Sequence, residues 1–108
     1  MDLADREIET VTPDTQPLDA NQTQRLSAEV PHWAVGEKAI ERTLKFRDFL
    51  AAIDFVNRVA ELAEPANHHP DIWISWNTVK LELSTHRIGG LSVNDFILAA
   101  RIDRLLGD

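Results

Sequence analysis

Apolar and polar residues alternate most clearly between positions 40 and 46 of the chain. The two sets are Ile40, Arg42, Leu44 and Phe46 on one side and Glu41, Thr43 and Lys45 on the other. A period of two residues is typical of a β-strand with one face toward solvent. Residues 71–76 and 79–85 alternate in the same way around Asn77-Thr78, which predicts two strands joined by a turn. With a short strand at Trp33 to Val35, the pattern predicts four strands.

Helical patterns occupy three other segments. A stripe of apolar residues runs from Phe49 to about Glu64, with Asp48 as a cap at its start and Pro65 as the expected stop. The other two predicted helices begin after the caps Asp19 and Ser92 and end before Pro31 and near Leu106. The elements therefore follow one another as helix, strand, strand, helix, strand, strand, helix.

This order predicts the α+β fold class, with three helices packed on one face of a four-stranded antiparallel sheet. Residues 1–17 are polar and acidic without sustained periodicity, which predicts a mobile N-terminal tail. Residues 18–108 are predicted to form a single domain, since a chain of 108 residues has the size of one domain.

The long central helix has more apolar surface than one small sheet requires. A first set shares one face, namely Phe49, Ala52, Ile53, Val56, Ala60 and Ala63, and a second set widens it, namely Phe55, Val59 and Leu62. The second set belongs either to the core or to a subunit interface. A further apolar patch on the last helix consists of Phe96, Ile97 and Ala100. Together these faces predict a homodimer or a homotetramer.

Charge and composition narrow the possible functions. The net charge of −7 argues against direct binding to nucleic acid or to an anionic membrane, because both need a basic surface. The chain has no cysteine, which excludes disulfides, a thiolate metal site and a cysteine nucleophile. The acidic N-terminus lacks the apolar core of a signal peptide, and no apolar run is long enough to span a membrane. We therefore expect a cytoplasmic protein.

Three histidines are candidates for proton transfer. With a turn at residues 77 and 78, the numbers of paired residues sum to about 155, which places His69 opposite His86 at the open end of the hairpin. Pro70 interrupts the ladder after His68 and His69, so both side chains can reach one site there. Imidazoles are suited to general acid–base catalysis. Structural histidines and a metal site remain alternatives, although adjacent positions are not the usual spacing of metal ligands.

Asp95 has two possible roles. It lies three residues after Ser92, so the pair forms a capping box at the start of the last helix. Its carboxylate is also predicted to face the core side of the helix, which makes a role in a site the second possibility. The spacing alone favours the capping role.

These residues also carry a resemblance to a known family. The string Glu64-x-x-x-His68-His69-Pro70, followed by Trp76, His86 and Asp95, resembles the signature of the pterin-4a-carbinolamine dehydratases. The similarity extends over about residues 18–106. Three positions depart from the family pattern: His32 stands where Gly is more usual, Leu44 where Phe is common, and Asn67 where animal members carry Asp.

The resemblance implies an activity and a set of site residues. The reaction is the dehydration of 4a-hydroxytetrahydropterin to quinonoid dihydropterin, with no metal or organic cofactor, in a dimer or tetramer. The implied catalytic residues are His68, His69, His86 and Asp95. The residues implied to contact the pterin are Asn67, His68, His69, Ser84, Thr85, His86 and Arg87. Glu64, Pro70 and Trp76 are implied as supporting residues.

A second function is compatible with the same scaffold. Some animal relatives stabilise dimers of a homeodomain transcription activator, and some bacterial relatives resemble assembly factors that have lost catalysis. A binding role of this kind has no physical need for three converging imidazoles. The intact histidine set therefore favours an enzyme.

Overall fold

The computed structural model describes residues 2–108 and forms one four-stranded antiparallel sheet in the order β1-β2-β4-β3. The strands are β1 (Ala34–Val35), β2 (Ile40–Lys45), β3 (Asp71–Ser75) and β4 (Thr78–Leu83). The helices are α1 (Ala20–Ser27), α2 (Phe49–Ala66) and α3 (Val93–Leu105). The predicted α+β class and element order are confirmed. No helix within residues 2–108 is long and apolar enough to cross a membrane.

Local capping explains where the helices begin. Asp19 accepts a hydrogen bond from the amide of Gln22 (2.8 Å), and the Gln22 side chain accepts from the amide of Asp19 (2.9 Å), which completes a capping box on α1. Asp48 accepts from the amide of Ala51 (2.8 Å) at the start of α2. These side chains satisfy amides that have no partner inside the helix.

The end of α2 differs from the prediction. Pro65 lies inside the last turn and does not stop the helix, which continues to Ala66. The helix ends instead at Asn67, whose φ of 48° is left-handed. A proline so close to the end of a helix removes only one hydrogen bond, whereas a left-handed residue reverses the chain direction.

The core lies between the sheet and the helices. The buried face of α2 consists of Ala52, Phe55, Val59 and Ala63. Phe55 and Val59 are therefore core residues of the single chain, and the alternative that they form an interface is wrong. The buried face of α2 is rotated about the helix axis relative to the first predicted set, because Phe49 and Ala60 of that set are exposed.

The β3–β4 hairpin turns one residue earlier than predicted. Ser75 pairs with Thr78, which places Trp76 and Asn77 in the turn, and Trp76 has a φ of 52°. Each residue of β3 consequently pairs with a residue of β4 two positions earlier than predicted. The predicted placement of His69 directly opposite His86 is therefore wrong, and His86 lies in a 3₁₀ turn after β4 (His86–Ile88). A left-handed tryptophan is uncommon, so the local sequence gave no reason to place the turn there.

The N-terminal segment (residues 2–11) is packed on α3, which differs from the predicted mobile tail. Leu3 and Ala4 are buried in a 3₁₀ turn. Arg101 on α3 donates to the carbonyls of Ala4 (3.1 Å) and Arg6 (2.7 Å). Periodicity did not reveal this packing, because its partners are distant in the sequence. Met1, the first residue of the predicted tail, lies outside the described residues.

A salt bridge adds to the attachment of this segment. Arg104 contacts Asp5 at 2.7 Å, and this hydrogen-bonded guanidinium lowers the pKa of the Asp5 carboxyl below its ordinary value. The contact therefore contributes to stability at pH values above the ordinary pKa of aspartate. This contribution is lost as the pH falls through the lowered pKa of Asp5. Both groups are open to solvent, which screens the interaction.

The packing of the N-terminal segment changes the interpretation of the last helix. Phe96 and Ile97 are fully buried within the chain, in the same core cluster as Leu3. The prediction that they form an apolar patch left open for a second subunit is wrong. The segment that was expected to be mobile contributes apolar residues to that cluster.

Candidate active site

A cavity with a volume of about 450 Å³ lies where the end of α2, the end of β4 and the start of α3 meet. We call it the histidine cavity. Its lining includes all seven residues that were predicted to contact substrate, namely Asn67, His68, His69, Ser84, Thr85, His86 and Arg87. The fold thus brings together two parts of the chain that are separated by the whole β3–β4 hairpin.

His68 is held by a buried carboxylate. Its Nε2 lies 2.5 Å from Oδ1 of Asp95, which has no exposed surface, and the His68 side chain is only 12% exposed. A carboxylate oxygen accepts hydrogen bonds, so Nε2 of His68 carries the proton in this contact. The other ring nitrogen, Nδ1, is left to exchange a proton.

Asp95 makes the contacts that each of its two possible roles requires. Its Oδ2 accepts from the backbone amide of Ser92 (2.9 Å) and from the hydroxyl of Thr85 (2.9 Å), while its Oδ1 faces His68. The single hydroxyl proton of Thr85 is used in that bond, so the Ser92 hydroxyl, at 2.7 Å, donates to Thr85. The helix cap and the histidine support are parts of one buried network.

The corner after α2 separates the two adjacent histidines. Asn67 is left-handed, and the amide of His68 donates back to the carbonyl of Ala63 (3.3 Å). This geometry directs His68 toward Asp95. His69 takes another direction, and its Nε2 contacts Oε1 of Glu64 (2.8 Å), the predicted supporting residue. Pro70 follows directly before β3 begins.

His86 lines the same cavity. Its Nε2 lies 3.3 Å from the hydroxyl of Ser84 and 4.0 Å from Oδ2 of Asp71. The side chains of His69 and His86 are 56% and 79% exposed, so both are open to a ligand. Each of the three histidines therefore lies near its own carboxylate.

The structure also separates one predicted residue from the others and adds new ones. Trp76 lies at the tip of the hairpin, far along β3 from His69, and does not line the cavity. The sequence analysis did not identify Asp71 as a neighbour of His86. Its position two residues after His69 indicates this only when the hairpin register is known. Asn94 and residues 8–11 also line the cavity. No local pattern pointed to residues 8–11.

The arrangement suits proton transfer. Within residues 2–108, no group of three or more His, Asp or Glu side chains is placed so that it could hold a metal ion. The imidazoles contact separate carboxylates and hydroxyls instead. Carboxylates that orient imidazoles fix the tautomer and the ring position, which is what general acid–base catalysis needs.

The fold and the cavity define a small α+β protein equipped with oriented histidines. Residues 16–105 match the family model described as pterin 4 alpha carbinolamine dehydratase. The chain belongs to this family. The resemblance read from the histidine signature and the enzyme class that it implies, a hydro-lyase, are confirmed at the level of the family.

Individual relatives agree with this assignment. The chain is 43% identical over 105 residues to a protein of Rubrobacter xylanophilus, an alignment that covers 96% of this chain and 98% of the relative. It is 54% identical over 83 residues to a protein of Acidobacterium capsulatum, covering 77% of this chain and 89% of the relative. Both relatives are named provisionally as pterin-4-alpha-carbinolamine dehydratases.

A solved structure has a similar fold. The crystal structure of a transcriptional coactivator/pterin dehydratase from Brucella melitensis superimposes with a TM-score of 0.77 at 28% identity. The superposition covers 83% of this chain and 98% of that one.

Proposed function

We propose that this protein dehydrates 4a-hydroxytetrahydropterin to quinonoid dihydropterin by histidine general acid–base catalysis, as a step in tetrahydropterin recycling. The observation that carries the proposal is the lining of one cavity by His68, His69 and His86, each with a carboxylate nearby. Family membership supports the substrate class.

The reaction needs one base and one acid. The base removes the proton from N5, and the electron pair forms a double bond between N5 and C4a. The bond from C4a to the hydroxyl oxygen breaks at the same time, and the acid protonates that oxygen so that water leaves. Imidazoles can serve in either role near neutral pH, and well-placed proton transfer contributes about 10²–10⁴-fold to the rate.

The three histidines differ in exposure. His69 and His86 are largely exposed and His68 is nearly covered, and we assign the direct proton transfers to this set of three. Asp95 orients His68 through the 2.5 Å contact. Asn67, Ser84 and Arg87 supply polar groups for the pterin edge. The Thr85 hydroxyl is committed to Asp95 and Ser92, so we expect it to support His68.

A direct assay tests this function. Stopped-flow decay of 4a-hydroxytetrahydropterin should accelerate when the protein is added, and treatment with a chelator should leave the accelerated rate unchanged. The control is the spontaneous decay in the same buffer. Loss of activity in chelator that added zinc or iron restores would contradict the proposal that no metal takes part. No acceleration at all would leave only the binding function.

We also propose that the chain forms homodimers or homotetramers. Phe49 and Leu50 at the start of α2 are exposed, as is Trp76. These side chains lie at one end of the domain, because Asn77 in the turn donates to the carbonyl of Phe46 (2.8 Å). Exposed aromatic and aliphatic side chains that lie close together are typical of protein interfaces.

Light scattering checks the assembly. At micromolar concentration we expect a mass of about two or four times the 12.2 kDa of one chain. Leu50→Glu should shift the mass toward the monomer, because it places a charge in the apolar patch. Asn57→Glu, which adds the same charge at an exposed position two turns further along α2, should leave the mass unchanged. A monomeric mass for the unmodified protein contradicts the proposal.

A protein-binding function remains the second candidate. The Brucella melitensis protein carries both coactivator and dehydratase in its name, which favours testing both. We expect a cytoplasmic protein. We also expect that it does not contact nucleic acid directly, because its net charge is −7. A variant that loses dehydratase activity but keeps a protein partner would show that the two functions are separate.

A further inference from the structure

The histidine cavity has two walls of different origin. One wall consists of residues 66–69 and 84–87, which lie inside the region matched by the family model. The other wall is formed by Ile8, Glu9, Thr10 and Val11 of the N-terminal segment. The family match begins only at residue 16, so this second wall lies outside it.

The second wall is fixed next to the catalytic network. The side chain of Asn94, which is buried, accepts from the amide of Glu9 (2.8 Å) and donates to its carbonyl (2.9 Å). Asn94 directly precedes Asp95, so one turn of α3 holds both the carboxylate that contacts His68 and the second wall. Arg87 donates to the carbonyl of Val11 (3.0 Å), which ties the wall to the rim that carries His86.

The attachment continues along the same face of α3. Arg101 and Arg104 follow Asn94 at intervals of seven and three residues and bind the segment at Ala4, Asp5 and Arg6. Such spacing places all three side chains on one side of a helix. The segment is therefore held on both sides of the wall, at residues 4–6 and at residue 11, with the Asn94 contact between them.

We propose that residues 8–11 contact the bound pterin and determine which substituents it can carry. This inference rests on the proposed function. The histidines must contact N5 and the 4a-hydroxyl, so the remainder of the bicyclic ring and its substituent occupy other parts of the same cavity, which residues 8–11 also line. Ile8 and Val11 offer apolar contacts there, while the Glu9 carboxylate is paired with Arg6 (3.0 Å). The wall therefore fits pterins with a short substituent that brings apolar carbon against it.

A chemical labelling experiment tests the contact, because a single introduced cysteine is the only thiol in the chain. Thr10→Cys places the thiol on the wall, and Thr12→Cys places it two residues further, outside the cavity lining. Both positions are exposed in the free protein. The probe ligand is 7,8-dihydrobiopterin, whose binding is measured separately by calorimetry. We expect it to slow maleimide labelling at position 10 by about fivefold or more and at position 12 by less than about twofold.

The outcomes separate the two proposals. Binding of dihydrobiopterin without protection of the thiol at position 10, or with equal protection at both positions, overturns the wall assignment and leaves the proposed function intact. Absence of any binding by calorimetry overturns both proposals.

A second variant tests selectivity by kinetics. Val11→Phe adds bulk at a partly exposed position, where the fold can accommodate it. We expect the KM for 4a-hydroxytetrahydrobiopterin to rise by about tenfold with kcat nearly unchanged, because only binding of the substituent is impaired. The 6-methyl substrate should be affected by less than about twofold. An equal change for both substrates, or a change in kcat alone, contradicts the assignment.

Discussion

Asp95→Asn is expected to slow dehydration by about tenfold or more while the domain remains folded. The asparagine oxygen can still accept from the Ser92 amide and the Thr85 hydroxyl, as Oδ2 does now. Its amide nitrogen then faces Nε2 of His68. Because that nitrogen donates, His68 must accept through Nε2 and carry its proton on Nδ1, which is the opposite tautomer. The imidazole therefore keeps its position but loses the protonation pattern that Asp95 imposes.

A matched variant isolates this effect. Asp19→Asn makes the same chemical change in the capping box of α1, where the aspartate accepts from Gln22 and lies outside the cavity. Steady-state kinetics should show a lower kcat and kcat/KM for Asp95→Asn and no change for Asp19→Asn. Thermal unfolding of both variants should show small and similar shifts. If Asp95→Asn has unchanged kinetics, Asp95 acts only as a cap.

Asp95→Ala separates stability from catalysis further. It leaves the Ser92 amide, the Thr85 hydroxyl and the partly buried His68 without their partner. Each buried group without a partner costs about 1–3 kcal/mol, so the free energy of unfolding should fall by more than the loss of a simple cap.

His69→Ala and His86→Ala are each expected to lower kcat by about 10²-fold. Both side chains are largely exposed, so each variant should keep its free energy of unfolding within about 0.5 kcal/mol of the original. The two histidines line one cavity and serve one reaction. The double variant should therefore lose less activity than the product of the two single losses.

The fourth histidine supplies the control. His32 is exposed and does not line the histidine cavity, so His32→Ala should retain full activity. Losses that multiply strictly in the double variant would mean that His69 and His86 act independently. Unchanged activity in both single variants would favour the binding function.

Much of the fold could be predicted from the sequence, because its signals are local. The alternation around Leu44 predicted β2, and the caps Asp19, Asp48 and Ser92 predicted where the three helices begin. Each of these signals depends on residues only a few positions apart. The histidine signature indicated the family for a similar reason. It is defined by spacing along the sequence, which does not depend on the hairpin register.

The tertiary structure decided what depends on distant residues. The hairpin register differs from the predicted one because Trp76 lies in the turn, in a left-handed conformation that is uncommon for tryptophan. The partner of His86, Asp71, followed from that register. The wall at residues 8–11 depends on a bond between Glu9 and Asn94, which are 85 positions apart. Hydrophobic periodicity describes one element at a time, so a segment without periodicity can be assigned a place only by the helix on which it packs.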